Sequence, residues 1–269
     1  MLKYIIKRIF LMVPTVFLLT IVIFFVIHLV PGDPITVMFG YQAGGYKEQI
    51  EEIKKFYNLD KPIYIQYFSW LGKVIQLDFG ESIVRGDDIN EMIAKRFPRT
   101  LILAGGSMLI ALLVGIPLAI ISARKHNTIT DVTISGFSLT FISMPTFWLA
   151  ILFILIFGVK LNVLPTTSHT FSDASLWGFL RVLIMPCVST GLIVSAGITR
   201  MLRTELVDNL HKDYILFART KGASKWHTLI KHNLRNAAIT TSTAIGLQLG
   251  MLMVGVVIIE RVFTLPGMG

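Results

Sequence analysis

From Ile9 to Val30 the chain is almost wholly apolar. A run of that length crosses the ~30 Å hydrocarbon core of a bilayer as one helix. Lipid cannot solvate a bare backbone, and a helix satisfies it within the run. Four more follow, at 101–123, 132–159, 179–199 and 240–259. The stretch 132–159 is too long for one straight span, and Pro145 predicts a kink or break inside it. Only 15% of residues are charged, against about a quarter in a soluble domain. The expected fold is all-α, a polytopic transmembrane helical bundle. The first run exceeds the apolar core of a signal peptide, and no small-residue cleavage site follows it. The single cysteine, Cys187, rules out an internal disulfide and a cysteine metal cluster.

Three regions follow from this pattern: a tail and first span over 1–30, a polar loop region over 31–100, and a membrane core over 101–269. Pro31-Gly32-Asp33-Pro34 ends the first span. The loop region reads as mixed helical. Lys47–Tyr57 predicts a short helix with Ile50, Ile53 and Phe56 on one side. Pro62 opens a second, with Ile63, Tyr67, Trp70 and Val74 placed for burial. Asp78 to Ser82 reads as a turn. In the second span, Gly105, Gly106 and Ser107 offer close helix approach. Arg124-Lys125-His126 ends that span, and residues 160–175 form another polar loop. His28 lies near the far end of the first span, suited to an interface.

The other polar stretch is Arg200 to Ala238, with eight Lys and Arg against three acids. It is too polar for hydrocarbon and belongs in water beside the membrane. Gly222 suits a helix C-cap and Ser224 an N-cap. Beyond Ser224, helical periodicity puts Trp226, Leu229, Ile230 and Leu234 on one face, away from Lys225, Lys231 and Arg235. The pattern is helix–turn–helix with one apolar and one charged face. A basic helix resting on lipid headgroups and a helix docked on a protein both satisfy it. Lys and Arg also set the orientation. The side holding the N-terminus, residues 124–131 and 200–235 has thirteen basic residues against four acids (Asp131, Glu205, Asp208 and Asp213), whereas the opposite side is balanced. The N-terminus and the basic stretch are therefore expected in the cytoplasm, and 31–100 outside it.

Within this stretch, FARTKGASKWHTLIKHNLRNA resembles the cytoplasmic "EAA" loop of ABC importer permeases, through Ala218, Gly222, Ala223, Ser224 and the run Lys231 to Ala237. Leu216-Phe217-Ala218 replaces the Glu-Ala-Ala that opens the general motif, and His232 to Arg235 replaces its Ile-x-Leu-Pro ending. Asp213-Tyr214, Ala218-Arg219, Lys221-Gly222 and His232 match the dipeptide/oligopeptide/nickel branch. Pro31 to Pro34, Leu59 to Pro62, Gln66-Tyr67, Asp78 to Ser82, and Glu260, Phe263, Pro266, Gly267 and Gly269 extend the resemblance over most of the chain.

The resemblance implies a prokaryotic cell-membrane permease subunit that imports di- or oligopeptides, with nickel or a metal chelate as the alternative cargo. It assigns Asp213, Tyr214, Ala218, Arg219, Lys221, Gly222, Ala223 and Ser224 to the loop that couples to ATPase. Two cytoplasmic ABC ATPase subunits or domains, a second similar permease subunit and an extracytoplasmic solute-binding protein are the implied partners, alongside membrane lipid. Members of the family continue into another membrane helix, so a further C-terminal helix is expected. ATP and Mg²⁺ belong to the ATPases, and no cofactor is expected in this chain. The polar Ser138 and Gln248 are candidates for the translocation path.

Other chemistry finds little support. Gly-x-x-x-x-Gly-Lys-Ser/Thr does not occur, so the chain lacks that phosphate-binding loop. His227 and His232, five apart, are expected on different helix faces, where they would not pair on a metal. His211 reads as a loop residue. Ser107, Ser135, Ser138, Ser143 and Ser189 have no histidine or aspartate pair beside them in the spans, which disfavours an intramembrane hydrolase. An ion-gradient transporter would need ionisable groups at mid-membrane, and Gln248 is the nearest substitute. The basic balance follows membrane sidedness, so nucleic acid is not an expected partner.

Overall fold

The computed structural model describes residues 2–29, 47–56, 58–82, 86–166 and 176–269, in two compact units, 1–93 and 94–269. The Pro31–Pro34 stop, Tyr57 and residues 167–175 of the second polar loop lie outside the described residues. Helices dominate, and the pairing of Glu81 with Asp88 is an isolated bridge.

In the first unit, α1 (Leu2–Leu29) exposes apolar side chains from Ile5 to Leu29. Thr15 and Thr20 return their hydroxyls to the carbonyls of Leu11 and Phe17, which keeps them satisfied in an apolar medium. α2 (Lys47–Phe56) buries Ile50 and half-buries Ile53. Phe56, expected on the same buried side, is exposed. α3 (Ile63–Ile75) opens after Pro62 as predicted and buries Tyr67; Ile63 and Val74 are half-buried, and Trp70 remains exposed. The Asp78–Ser82 turn is held by the Gly80 N–H donating to Asp78 Oδ1 at 2.9 Å, with Gly80 at φ +75°. Asn90 completes it, accepting from the Phe79 N–H and donating to the Leu77 carbonyl.

The second unit contains the other spans. α4 (Ile89–Arg124) starts well before the expected Leu101 and carries Pro98 and Pro117. α5 (Ile129–Ser143) and α6 (Thr146–Phe153) meet at a 100° bend beside Met144-Pro145, so the long apolar stretch is broken where proline predicts. α6 continues as a π-helical segment, Ile154–Lys160. α7 (Leu176–Asn209) outruns its expected end at Thr199 by ten residues. The polar segment beyond holds α8 (Asp213–Thr220), the short α9 (Lys225–His227) and a π-helical segment, Thr228–Asn233. The last leads without a break into α10 (Leu234–Val262).

Most of the central part of α7 is enclosed, with α5, α6 and α10 packed around it. α4 approaches α7 at backbone distance. A Cβ on Gly191 of α7 would lie 2.8 Å from the Ser107 carbonyl oxygen and 2.9 Å from Ile110. On α4, a Cβ at Gly115 would lie 2.9 Å from the Ser195 carbonyl oxygen. Of the pair singled out in the sequence, Gly106 is close to Cys187 whereas Gly105 faces open space. Around these contacts lies a core of Leu103, Met108, Leu183, Met185, Ile198, Leu252, Val256 and Ile259. A second, smaller cluster at the basic end joins Ala119, Ala123, Leu202, Leu206, Leu229 and Ala237.

Each end of the unit carries a buried carboxylate. At the basic end, Asp131, counted in the sequence only as a loop acid, lies inside α5 and is 3% exposed. It accepts from Arg203 Nε at 2.8 Å and Nη2 at 2.7 Å, from the Ser122 hydroxyl at 2.5 Å and from the Asn127 N–H at 3.0 Å. This ties α5 to both α4 and α7. At the far end, Glu260 is 2% exposed. It accepts from the Thr100 hydroxyl at 2.5 Å and the Gly269 N–H at 2.8 Å. Met268 N–H donates to the same Thr100 oxygen, folding residues 264–269 over the carboxylate.

Two expectations follow for stability. Gly191→Val should lower the thermal stability of the purified protein sharply, as overpacking costs about 1–3 kcal/mol and here meets backbone. Gly105→Ala should be tolerated, and equal melting of the two variants would contradict the α4–α7 contact. Arg203→Met strands a buried carboxylate, a loss of about 3–5 kcal/mol. It should reduce folded yield far more than Arg200→Met, as measured by size-exclusion recovery in detergent.

Candidate functional site

The polar stretch is built around one turn. α7 continues past the membrane because Thr199, Leu202, Leu206 and Asn209 stay buried on a single helical face. After Asn209 the chain reverses through Leu210 to Lys212 and enters α8. Ile215 is fully buried and anchors this helix, while Asp213, Leu216, Phe217 and Lys221 are exposed. Tyr214, Ala218 and Arg219 are half-buried. The Tyr214 hydroxyl and Arg219 Nε are enclosed without a hydrogen-bond partner among the described residues.

α8 closes as a Schellman motif. The Gly222 N–H donates to the Arg219 carbonyl at 3.0 Å and the Ala223 N–H to the Ala218 carbonyl at 3.2 Å. The motif demands a left-handed residue, and Gly222 supplies φ +89°. Two residues on, the Ser224 side chain accepts from the His227 N–H at 3.2 Å and caps α9. Gly222 is therefore the left-handed residue that closes the helix, one place after the C-cap Lys221, and Ser224 is the N-cap read from the sequence. The space around Gly222 is open: an added Cβ would touch nothing within 4 Å.

Beyond Ser224 the expected face is not the observed one. Leu229 is buried and Leu234 half-buried, but Trp226 and Ile230 are exposed. The cause is the π-helical segment, whose i→i+5 hydrogen bonds align residues five apart. Thr228 and Asn233, five apart, are both buried. Asn233 donates through Nδ2 to the Leu206 carbonyl at 2.7 Å, clipping this segment onto α7. The same geometry brings His227 and His232 together, with ring centroids 5.9 Å apart, where α-helical spacing would separate them. Among the described residues no group of three or more His, Cys, Asp or Glu is placed to hold a metal.

The exposed part of the site is apolar beneath cations. Lys221 Nζ sits 4.5 Å from the Phe217 ring centre, and the Arg124 guanidinium 5.1 Å from that of Trp226. Leu216, Phe217 and Trp226 thus present apolar surface on both sides of the Gly222 turn. Sequence reasoning treated Leu216-Phe217 as a departure from a motif and gave it no role. Two bulky apolar residues side by side on a short polar helix, with only Ile215 needed for anchoring, was the available signal.

Ser138 and Gln248 do not line the same cavity. Ser138 lines a cavity of about 280 Å³ with Ser122, Ser135, Thr199, Arg200 and Arg203, and its hydroxyl returns to the Ile134 carbonyl. Gln248 is absent from that lining and lies against Gly197 of α7.

Residues 115–269 match the family described as "Binding-protein-dependent transport system inner membrane component", and residues 1–104 match its N-terminal companion family. The chain is 35% identical over 274 residues to the oligopeptide transport system permease protein AppB of Bacillus subtilis. It is 36% identical over 269 residues to the glutathione transport system permease protein GsiC of Escherichia coli K12. Both alignments take in 100% of this chain and 85% of the relative. With both parts of the family matched across the spans and the capped turn at Gly222, this chain belongs to the inner membrane components of binding-protein-dependent transport systems.

Proposed function

We propose that this chain is a permease subunit of an ATP-driven ABC importer for di- or oligopeptides, and that residues 200–238 couple it to cytoplasmic ATPases. The capped turn at Gly222 carries the reading: it holds exposed Leu216, Phe217 and Trp226 on a support clipped to α4, α7 and α10. Buried aromatic anchors dominate protein interfaces, and these side chains are free to become such anchors. The polar atoms of Tyr214 and Arg219 that have no partner among the described residues lie on the same short helix. Peptides are favoured over nickel as cargo because the similar permeases carry oligopeptide and glutathione names.

ATP and Mg²⁺ would be held by two ATPase subunits or domains, leaving this chain without hydrolytic activity of its own. A second, similar permease subunit would complete the pathway, and a solute-binding protein would deliver cargo on the opposite side. The excess of Lys and Arg supports a cytoplasmic N-terminus and a cytoplasmic Gly222 turn. ATP-driven closure of the ATPases would move the turn and, through it, the spans, giving alternating access.

Single cysteines introduced into a Cys187→Ser background test the orientation. In sealed cells an impermeant maleimide should label positions 48–55 and spare 213–225; labelling of 213–225 from outside would reverse it.

The coupling role is tested at Gly222. Gly222→Val forces a β-branched residue to positive φ, at a cost of about 1–2 kcal/mol or more, without a clash inside the chain. Membrane levels should hold, while peptide uptake falls at least tenfold and the ATPases no longer co-purify. Gly222→Asn, which tolerates left-handed backbone, should keep most uptake. Normal uptake by the Val variant at normal membrane levels would refute the assignment.

A further inference from the structure

Three sectors divide the surface of α3. Tyr67 and Trp70 meet α1: Tyr67 lies 5.3 Å from Phe24 and 6.4 Å from Phe17, ring centre to ring centre, and Trp70 lies 5.8 Å from Phe24. The Tyr67 hydroxyl is 3.0 Å from Thr20 Oγ1. Gln66, Ser69, Lys73 and Gln76 form a polar strip, with Gln66 donating back to the carbonyls of Leu59 and Lys61. The third sector is apolar. At helical spacing it gathers Tyr64, Phe68, Gly72 and Ile75, with Ile65 beside them. Tyr64 is 59% exposed, Phe68 64% and Ile75 74%, and a Cβ on Gly72 would meet nothing within 4 Å. A face this apolar is a liability in water.

Its height on α1 identifies what covers it. The apolar run of α1 ends at Leu29-Val30, before Pro31-Gly32-Asp33. Phe24, which touches both Tyr67 and Trp70, lies five residues before Leu29, about 7 Å at 1.5 Å per residue. Thr20, reached by the Tyr67 hydroxyl, is about 13 Å in. His28 sits at the level of the boundary, stacked on Phe24 with Nε2 3.4 Å from Gln66 Oε1. Amphipathic helices that lie in a membrane surface bury their apolar face about 5–10 Å deep, which is the level of Phe24. The Tyr64 hydroxyl suits the boundary with the headgroup layer, and Lys73 on the polar strip suits lipid phosphate. Between Ile9 and Leu29 the exposed surface of α1 is mostly apolar, so lipid against one helix continues onto the other.

We propose that α3 is a membrane-surface helix: its Tyr64–Phe68–Gly72–Ile75 face is embedded in acyl chains of the leaflet at the C-terminal end of α1. In the orientation argued above this is the outer leaflet, and the 47–82 region then lies down on the membrane instead of standing in water. The occupant is lipid, not the second permease subunit or the solute-binding protein.

The test uses the complete transporter in lipid nanodiscs, with Cys187→Ser and single cysteines at 68, 75 and 73 carrying a bimane fluorophore. Phospholipid with a doxyl group at acyl carbon 5 should quench bimane at 68 and 75 at least threefold more than at 73. Aqueous iodide should show the reverse order. Iodide quenching at 68 and 75 equal to that at 73 would put the face in water and overturn the proposal. So would protection from both quenchers together with cross-linking of 68 or 75 to another subunit. Doxyl quenching reads depth, not sidedness, so a reversed orientation would leave this result unchanged.

Discussion

The permease core rests on two places where α4 and α7 touch through their backbones. Gly191 sits under the Ser107 carbonyl and Gly115 under the Ser195 carbonyl, each with no room for a methyl group. In lipid there is little hydrophobic gain from bringing apolar helices together, so dispersion at close range and a few polar contacts must hold them. That contact lets α7 sit centrally with α5, α6 and α10 around it. The ends are then fixed by charge. Asp131 with Arg203 at one end and Glu260 with Thr100 at the other are polar contacts that would be expensive if left unmade.

Much of this was legible in the sequence because hydrocarbon is an unforgiving solvent. Long apolar runs have few alternatives to spanning helices, and a proline in the middle of one has few alternatives to a break, as Pro145 shows. Helix ends were less legible. The apolar signal of the fourth span fades near Thr199, but the helix persists to Asn209 because Leu202 and Leu206 bury a narrow stripe whose other sides face water. Hydropathy averages over the circumference and loses such a stripe. Asp131 was missed for a related reason: charge counting places an acid beside a span in water, and only the partner on another helix reveals its burial.

At the candidate site, local chemistry was the reliable guide. Gly222 and Ser224 each have a conformational role readable from one or two neighbours, and both occupy it. The amphipathic face beyond them was misread because its period was taken as α-helical. Nothing obvious in Thr228–Asn233 announces a π-helical turn, yet one such turn rotates every later residue. Trp226, ahead of the turn, is exposed instead of sharing the buried face of Leu229, and His227 meets His232.

The same π-helical segment joins the turn to α10 without a loop between them. From Lys225 to Val262 the helix runs 38 residues, about 55 Å at 1.5 Å per residue. A rod of that length is a lever. Tilting it by about 5° displaces one end relative to the other by about 5 Å, roughly one helical turn. Glu260 and the folded segment 264–269 lie at the distant end of that rod. A small tilt imposed where Ser224 caps the helix would therefore reach the opposite membrane surface as a step large enough to part or join side chains.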